Sequence, residues 1–448
     1  MPFVRVPHRA PNAQALPLPV RLLRLAGTLV LAGVVLASML LLGVRFVVFP
    51  RVESWRPDIA QLLAHKIGVP VEIDGLGTGW DGWNPKLEIR GFRLRDRAGA
   101  MIRPLVDLPR VDLVIAWTSL PLFELRLKEI YIEGPRLAVR RDRAGRIHVA
   151  GIEIDPTTAQ GDTRIGDWLL RQHRIIIHDG LVAWNDDLRN APQLVLDHVD
   201  LRLEQSFGHH RFGLTGTPPS ELASPLDLRG DIVGASLDDW QHTRGHVYVR
   251  LDYADVAAWH EWLPLPVRVD SGKGALRIWF EFAQGEARDI VADLELADVH
   301  ARLAPELTPI ALAHLSGRAG WRQEDNSLEV YTRDLEATPL NGPKLPPLNF
   351  AFLQTRASNG TPAHGSIAFD RLEITPLATF AAQLPLPDRW RRDIARFVPR
   401  GTARDGKFTW MGEPDAPTQF EVSGSFSGLG LEAQDLSLIH ISEPTRRS

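Results

Sequence analysis

Period-two alternation of apolar and polar residues runs through most of the chain, and it leaves few folds open. Leu87-Glu88-Ile89, Leu125-Arg126-Leu127, Leu137-Ala138-Val139-Arg140 and Val199-Asp200-Leu201-Arg202-Leu203 each read as a strand with one apolar and one wet face. The pattern returns at residues 247–251, 276–282, 290–296, 367–369 and 420–422. Helical spacing is scarce: Ile59, Leu62, Leu63 and Ile67, with Ser54 as cap and Pro57 in the first turn, then short stretches around 162–173, 256–263, 377–384 and 388–397. So few helices cannot cover so much sheet. The apolar faces must close on one another as a sandwich or barrel, or curl around something else apolar. On pattern alone the closed sandwich is the commoner outcome. Parity switches between Ile89 and Phe92, and between Leu127 and Ile130, imply bulges and a curved sheet.

The N-terminus adds a membrane. Residues 25–44 carry no charge and are long enough to span a bilayer as a helix. Arg5, Arg9, Arg21 and Arg24 precede them and the first acidic residue is Glu53, so the positive-inside rule keeps the N-terminus cytoplasmic and exports the rest. A cleaved signal peptide is disfavoured, because Ala37-Ser38-Met39 is a poor cleavage site. Trp80 and Trp83 are candidates for the headgroup level beyond the anchor.

With 448 residues, a net charge of -4 and no cysteine, the chain has no nucleic-acid footprint, no disulfide and no thiolate chemistry. Ser271-Gly272-Lys273-Gly274 lacks the Ser or Thr that a P-loop needs after its lysine. Gly75-Leu76-Gly77-Thr78-Gly79-Trp80 lacks the third glycine of a dinucleotide fingerprint and reads as a turn. Gly424-Ser425-Phe426-Ser427-Gly428 has Phe where a nucleophile elbow needs Ser. His178-Asp179, His209-His210, Asp186-Asp187 and Asp238-Asp239 read as solvated strand ends and turns rather than metal or acid-base groups. Trp259, Trp262, Trp279 and Trp321 read as packing residues. These motifs supply no catalytic residue, metal site or cofactor.

An internal repeat points to an elongated array. Asp255-Val256-Ala257-Ala258-Trp259, then Leu263-Pro264-Leu265-Pro266 and a strand from Gly274, resembles residues 374–380, Leu384-Pro385-Leu386-Pro387 and a strand after Gly401.

Residues 110–117, 125–140 and 142–146 resemble the N-terminal module of AsmA-like proteins. The anchor followed by Glu53-Ser54-Trp55-Arg56-Pro57, the 263–266 segment and residues 272–280 are similar to the YhdP-like branch. The resemblance implies a mainly β fold, with an N-terminal transmembrane helix followed by an elongated, curved antiparallel sheet that forms a taco-like β-groove with a few short helices. It implies phospholipid passage between the inner and outer membranes, outer-membrane integrity, and no enzyme activity. Its partners are phospholipid acyl chains, the inner membrane and envelope proteins. The expected organisation is 1–24 cytoplasmic, 25–49 transmembrane, 51–155 an AsmA-like β module, 156–436 groove repeats, and 437–448 a non-native tail on a truncated chain. Leu276, Ile278, Phe280 and Phe282 share one strand face, with Leu294 and Leu296 beside them, and are the expected groove lining. Two other classes compete. An assembly scaffold would bind β-rich clients by edge pairing, as proposed for the TamB-like branch, and would keep a dry interior. A glycan hydrolase would need paired carboxylates converging in a cleft, which no spacing provides.

Overall fold

The computed structural model describes residues 18–431, except 68, 95–105, 120–124, 150–151, 155–167, 170, 235–241, 264–266, 359, 361, 385, 387 and 414–415. The expected helix at 162–173 therefore lies largely outside the described residues, and the tail at 437–448 and Asp238-Asp239 lie wholly outside them.

Helix α1 (Leu18–Gly43) runs on through a π turn at Val44–Val48 and 3-10 turns to Trp55. The apolar stretch Arg24–Arg51 is uncovered by protein, with Leu29 65% and Leu36 69% exposed. An all-round apolar helix of this length suits hydrocarbon. α2 (Arg56–Ile67) begins at the next residue. Ser54 does not cap it: its hydroxyl donates backwards to the Arg51 carbonyl at 2.6 Å, because the chain is already helical there.

Among the described residues the strands number 21 and form one sheet. β1 (Val71–Glu72), β2 (Gly75–Asp81), β3 (Asn84–Leu94), β4 (Val106–Ile115), β5 (Leu127–Glu133), β6 (Arg136–Arg141), β7 (Ile147–Val149) and β8 (Ile152–Ile154) follow the anchor in the chain. β9 (Arg174–Asp186) runs parallel to β5 and β6 and joins them to the later strands. From there each strand pairs antiparallel with the next: β10 (Leu194–Ser206), β11 (His209–Thr217), β12 (Leu226–Val233), β13 (Arg244–Asp255) and β14 (Arg268–Ala283). The meander continues through β15 (Glu286–Arg302), β16 (Ile310–Gln323), β17 (Ser327–Pro339), β18 (Leu345–Thr355), β19 (His364–Glu373), β20 (Arg400–Glu413) and β21 (Ala416–Gly430).

The sandwich that the pattern alone favours does not form. Connections that keep each strand beside its predecessor build one sheet, and among the described residues no ladder joins β21 back to the first strands. The 75–80 stretch is strand β2, not a turn. Its glycines leave room for long neighbours: a Cβ at Gly77 or Gly79 would meet the Glu88 or Lys86 side chain at 3.2 Å.

The parity switch between Leu127 and Ile130 is a bulge, whereas between Ile89 and Phe92 the register with β4 holds and Gly91, at φ +61°, takes up the change; bulges recur along the later strands. Asp179, His198, Asp298, Asp334 and Asp405 all hold φ near +50° inside strands, where the register with a neighbouring strand slips. Short polar side chains tolerate this conformation and bond to the backbone freed by it. The Asp179 N–H donates to Asp200 Oδ1 at 3.1 Å, and the Asp334 N–H donates to Asn349 Oδ1 at 2.7 Å. His178-Asp179 is thus a mid-strand bulge rather than a strand end. Asp186, at the end of β9, is buried against Arg141 instead of solvated.

Two cores form. Val52 and α2, through Ile59, Ala60 and Leu63, pack on Leu76, Ile89 and Val111. Further along, the connection from β19 to β20, which contains α3 (Ile374–Thr379) and α4 (Asp388–Phe397), sends Phe380 and Leu384 over Leu296, Val299, Leu312 and Ala337. Val256, in the first copy of the repeat, joins the same core.

Candidate functional site

Cross-strand partners in a ladder project to the same side of a sheet, so register shows which side chains share a face. One line of partners begins at Leu87, Leu113, Ile130 and Ile175 and passes to Leu203, Phe212, Gly230 and Val247. It continues through Phe280, Ile290, Trp321 and Val330 to Phe352, Ile367, Phe408 and Val422. A second line, two residues away, runs from Leu76, Ile89, Val111 and Ile132 through Ile177, Leu201, Leu214 and Leu228. It then takes Val249, Ile278, Ala292 and Ala319, and ends at Thr332, Phe350, Phe369 and Gly406. Neither line contains a charge. Thr332 is the one hydroxyl, and it donates to the Leu348 carbonyl at 3.0 Å. At a strand spacing near 4.8 Å, the lines extend for roughly 70 Å.

The opposite face is charged. Glu204, Arg211, Asp231, His246, Glu281, Asp289, Arg322 and Glu329 succeed one another as partners. Arg318 bonds Asp293 through Nε and Nη2 and lies 5.4 Å from the Trp279 ring. That guanidinium, hydrogen-bonded to Asp293, holds its carboxyl below the usual range. From β10 to β17 the sheet is amphipathic.

Of the expected lining residues, Ile278 and Phe280 lie on the two lines themselves. Leu276 pairs with Leu294, one step further along β14. Phe282 is 5% exposed and stacks on Phe280 at 5.9 Å. Leu296 is 7% exposed in the core beneath Phe380, so it offers little surface. Trp321 is on the apolar face, whereas Trp279 is on the charged one. Trp259 and Trp262 brace a connection through the Leu222 and Pro192 carbonyls.

Glycines on the apolar face sit under neighbouring rings. A Cβ at Gly230 would meet Phe212 at 2.6 Å, and one at Gly406 or Gly365 would run into Phe369 or Trp410. Each aromatic lies across the adjacent strand instead of standing clear of it, which keeps the face low and smooth. Strand-by-strand reading misses this, because the pairing appears only in register.

Among the described residues no three His, Asp or Glu side chains are placed to hold a metal ion.

A family model described as YhdP protein matches residues 15–440. The intermembrane phospholipid transporter YhdP of Escherichia coli (strain K12) is 23% identical over 273 residues, covering 59% of this chain and 20% of that protein. The chain therefore spans about a fifth of the length of that relative. No solved structure matches.

Proposed function

Since the chain belongs to the YhdP family, we propose that its apolar sheet face carries phospholipid acyl chains through the aqueous gap between the inner and outer membranes. The supporting observation is the uninterrupted pair of apolar lines from the anchored strands to β20, the first of which continues onto β21. Each methylene kept out of water is worth about 0.8 kcal/mol, so a continuous apolar path lowers the barrier that water imposes on a two-chain lipid. The charged face keeps the same sheet soluble. Leu276, Ile278, Phe280 and Leu294 form the open part of the path at β14 and β15, with Phe282 and Leu296 at its margins. No chemistry on the substrate is required, and the reading is of a conduit, not an enzyme.

The basic residues before the span, Arg5, Arg9, Arg21 and Arg24, support a cytoplasmic N-terminus and a periplasmic sheet. Residues 51–155 then form the membrane-proximal module and 156–436 the extended path. Passage to the outer membrane and support of its integrity belong to the whole protein.

Photo-crosslinking side chains placed one at a time at Ile278, Phe280, Arg277 and Glu281 test this reading in the envelope. The expected result is phospholipid adducts at the first two positions alone, reduced when a charge is placed at the neighbouring inner position. Equal labelling of both faces, or none at Ile278 and Phe280 in a folded chain, overturns it.

A scaffold that adds β-rich clients to its edge is the second reading. It is favoured by β21, which among the described residues pairs with β20 alone and exposes Phe420 at 70%. That reading requires protein adducts along β21 and no lipid at Ile278.

A further inference from the structure

The end of the transmembrane helix is fastened to the sheet by a series of contacts with a direction. The Phe49 and Trp80 rings lie 5.3 Å apart. Glu53 accepts the Leu76 N–H at 2.6 Å, and Arg56 donates to the Ile73 carbonyl at 3.1 Å. Val52, between them, is 7% exposed. As the chain leaves the membrane from 49 to 56, its partners run from 80 back to 73. Strand β2 therefore travels towards the membrane, and its turn with β3 lies closer to the lipid than Trp80 does.

That turn is Gly82-Trp83, just past the last paired positions, Asp81 and Asn84. At about 3.3 Å per strand residue it reaches roughly 7 Å beyond Trp80. At 1.5 Å per helical residue, this brings it level with the helix about five residues before Phe49, within the apolar span. Trp83 is 78% exposed there, and Phe46 of the helix is 67% exposed. The neighbouring connection adds Trp117, whose indole N–H donates to the Trp83 carbonyl at 2.9 Å, and Leu125, 53% exposed. Beside them Lys128 pairs with Asp81 at 2.9 Å. Exposed tryptophan and leucine beside a charged pair are the chemistry of a lipid headgroup boundary, where an indole has an apolar body and a polar edge to satisfy.

We propose that the β2–β3 turn enters the headgroup region of the leaflet from which α1 emerges, as a second membrane contact carried by Trp83. The occupant is the phospholipid surface of the membrane that α1 spans. This contact fixes the sheet against rotation about the anchor and sets Leu76, Leu87 and Ile89, the first members of both apolar lines, beside the leaflet. It does not depend on whether the sheet carries lipid.

The chain has no cysteine, so a single introduced thiol can be labelled cleanly. Trp83→Cys carries a bimane label in the full chain reconstituted into vesicles of phosphatidylethanolamine and phosphatidylglycerol. Phe207→Cys, at a hairpin tip that is 101% exposed, is the reference. Both side chains lie outside the cores, so neither variant removes packing. The expected result at position 83 is a blue shift, loss of emission with lipids spin-labelled near the headgroup, and protection from aqueous iodide, none of it at position 207. A label at 83 that is quenched by iodide and unshifted, as at 207, overturns the proposal. Both outcomes are read without any transport assay, so failure here and failure of the conduit reading are separate results.

Discussion

The same alternation builds the apolar face at both ends of the sheet, yet the two ends meet different fates. At the anchored end Ile89 is 8% exposed and Val111 6%, because Val52, Ile59 and Leu63 lie over them. At the far end Val422 is 57% exposed and Phe420 70%, with no described element across them. Between these, Val247, Phe280 and Phe352 are half-buried. Strand patterning thus decides that an apolar face exists. Whether it is roofed depends on which distant segment returns over it.

The widest separation of the two ends should come from truncating one inner residue in each. Ile89→Ala removes buried methylenes beneath α2 and is expected to cost about 2–5 kcal/mol. Val422→Ala, on an exposed strand, should stay within about 0.5 kcal/mol. Hydrogen exchange of the β3 and β21 amides reads each locally, because an open edge and a packed core need not unfold together. Equal costs would mean that the far end is covered in the working protein, and would point to the element that covers it.

A subtler contrast compares the two faces midway. Gly230→Val forces the Phe212 ring off the neighbouring strand, since a Cβ there sits 2.6 Å from it. Overpacking of this kind costs about 1–3 kcal/mol, and the displaced ring would stand in the lipid path. Gly213→Val, on the charged face with nothing within 4 Å of its Cβ, is the control. Co-purified phospholipid should fall for the first and hold for the second. If both retain lipid, the ring over Gly230 is a packing detail without consequence for the path.

Much of this architecture is legible in residue order, and some is not. Alternation at 276–282 by itself places Ile278 and Phe280 on one face. The parity switch near Leu127 corresponds to the register slip opposite Val114 and Ile115. Alternation carries no register between strands, which hairpin lengths and bulges set. Hence neither the continuous lines nor the pairing of Gly230 with Phe212 can be read from it. Strand β2 reads as a turn because three glycines in six residues mask a strand whose room is filled by Lys86 and Glu88. The contact of Phe49 with Trp80 spans 31 residues, and no local pattern announces it.

The smallest expected effect is in the electrostatics of the open half. Hydrogen bonding from Arg318 lowers the Asp293 pKa, and hydrogen bonding from Arg371 and Thr402 lowers that of Glu373. A carboxyl whose folded pKa lies below its unfolded value binds fewer protons folded than unfolded through that interval. Its stabilisation is therefore full above the unfolded value and is lost as pH falls through the folded one. Both partners of the Asp293 pair are about a third exposed or more, so solvent screening keeps its worth under about 1 kcal/mol. Asp293→Asn should thus lower protection of β15 and β16 slightly at neutral pH and not at all once the wild-type carboxyl is protonated, while β3, held by apolar packing, shows no difference at either pH. If Asp293→Asn loosens β3 as strongly as β15, the two halves of the sheet are one cooperative unit, and the contrast between a roofed end and an open end describes exposure alone.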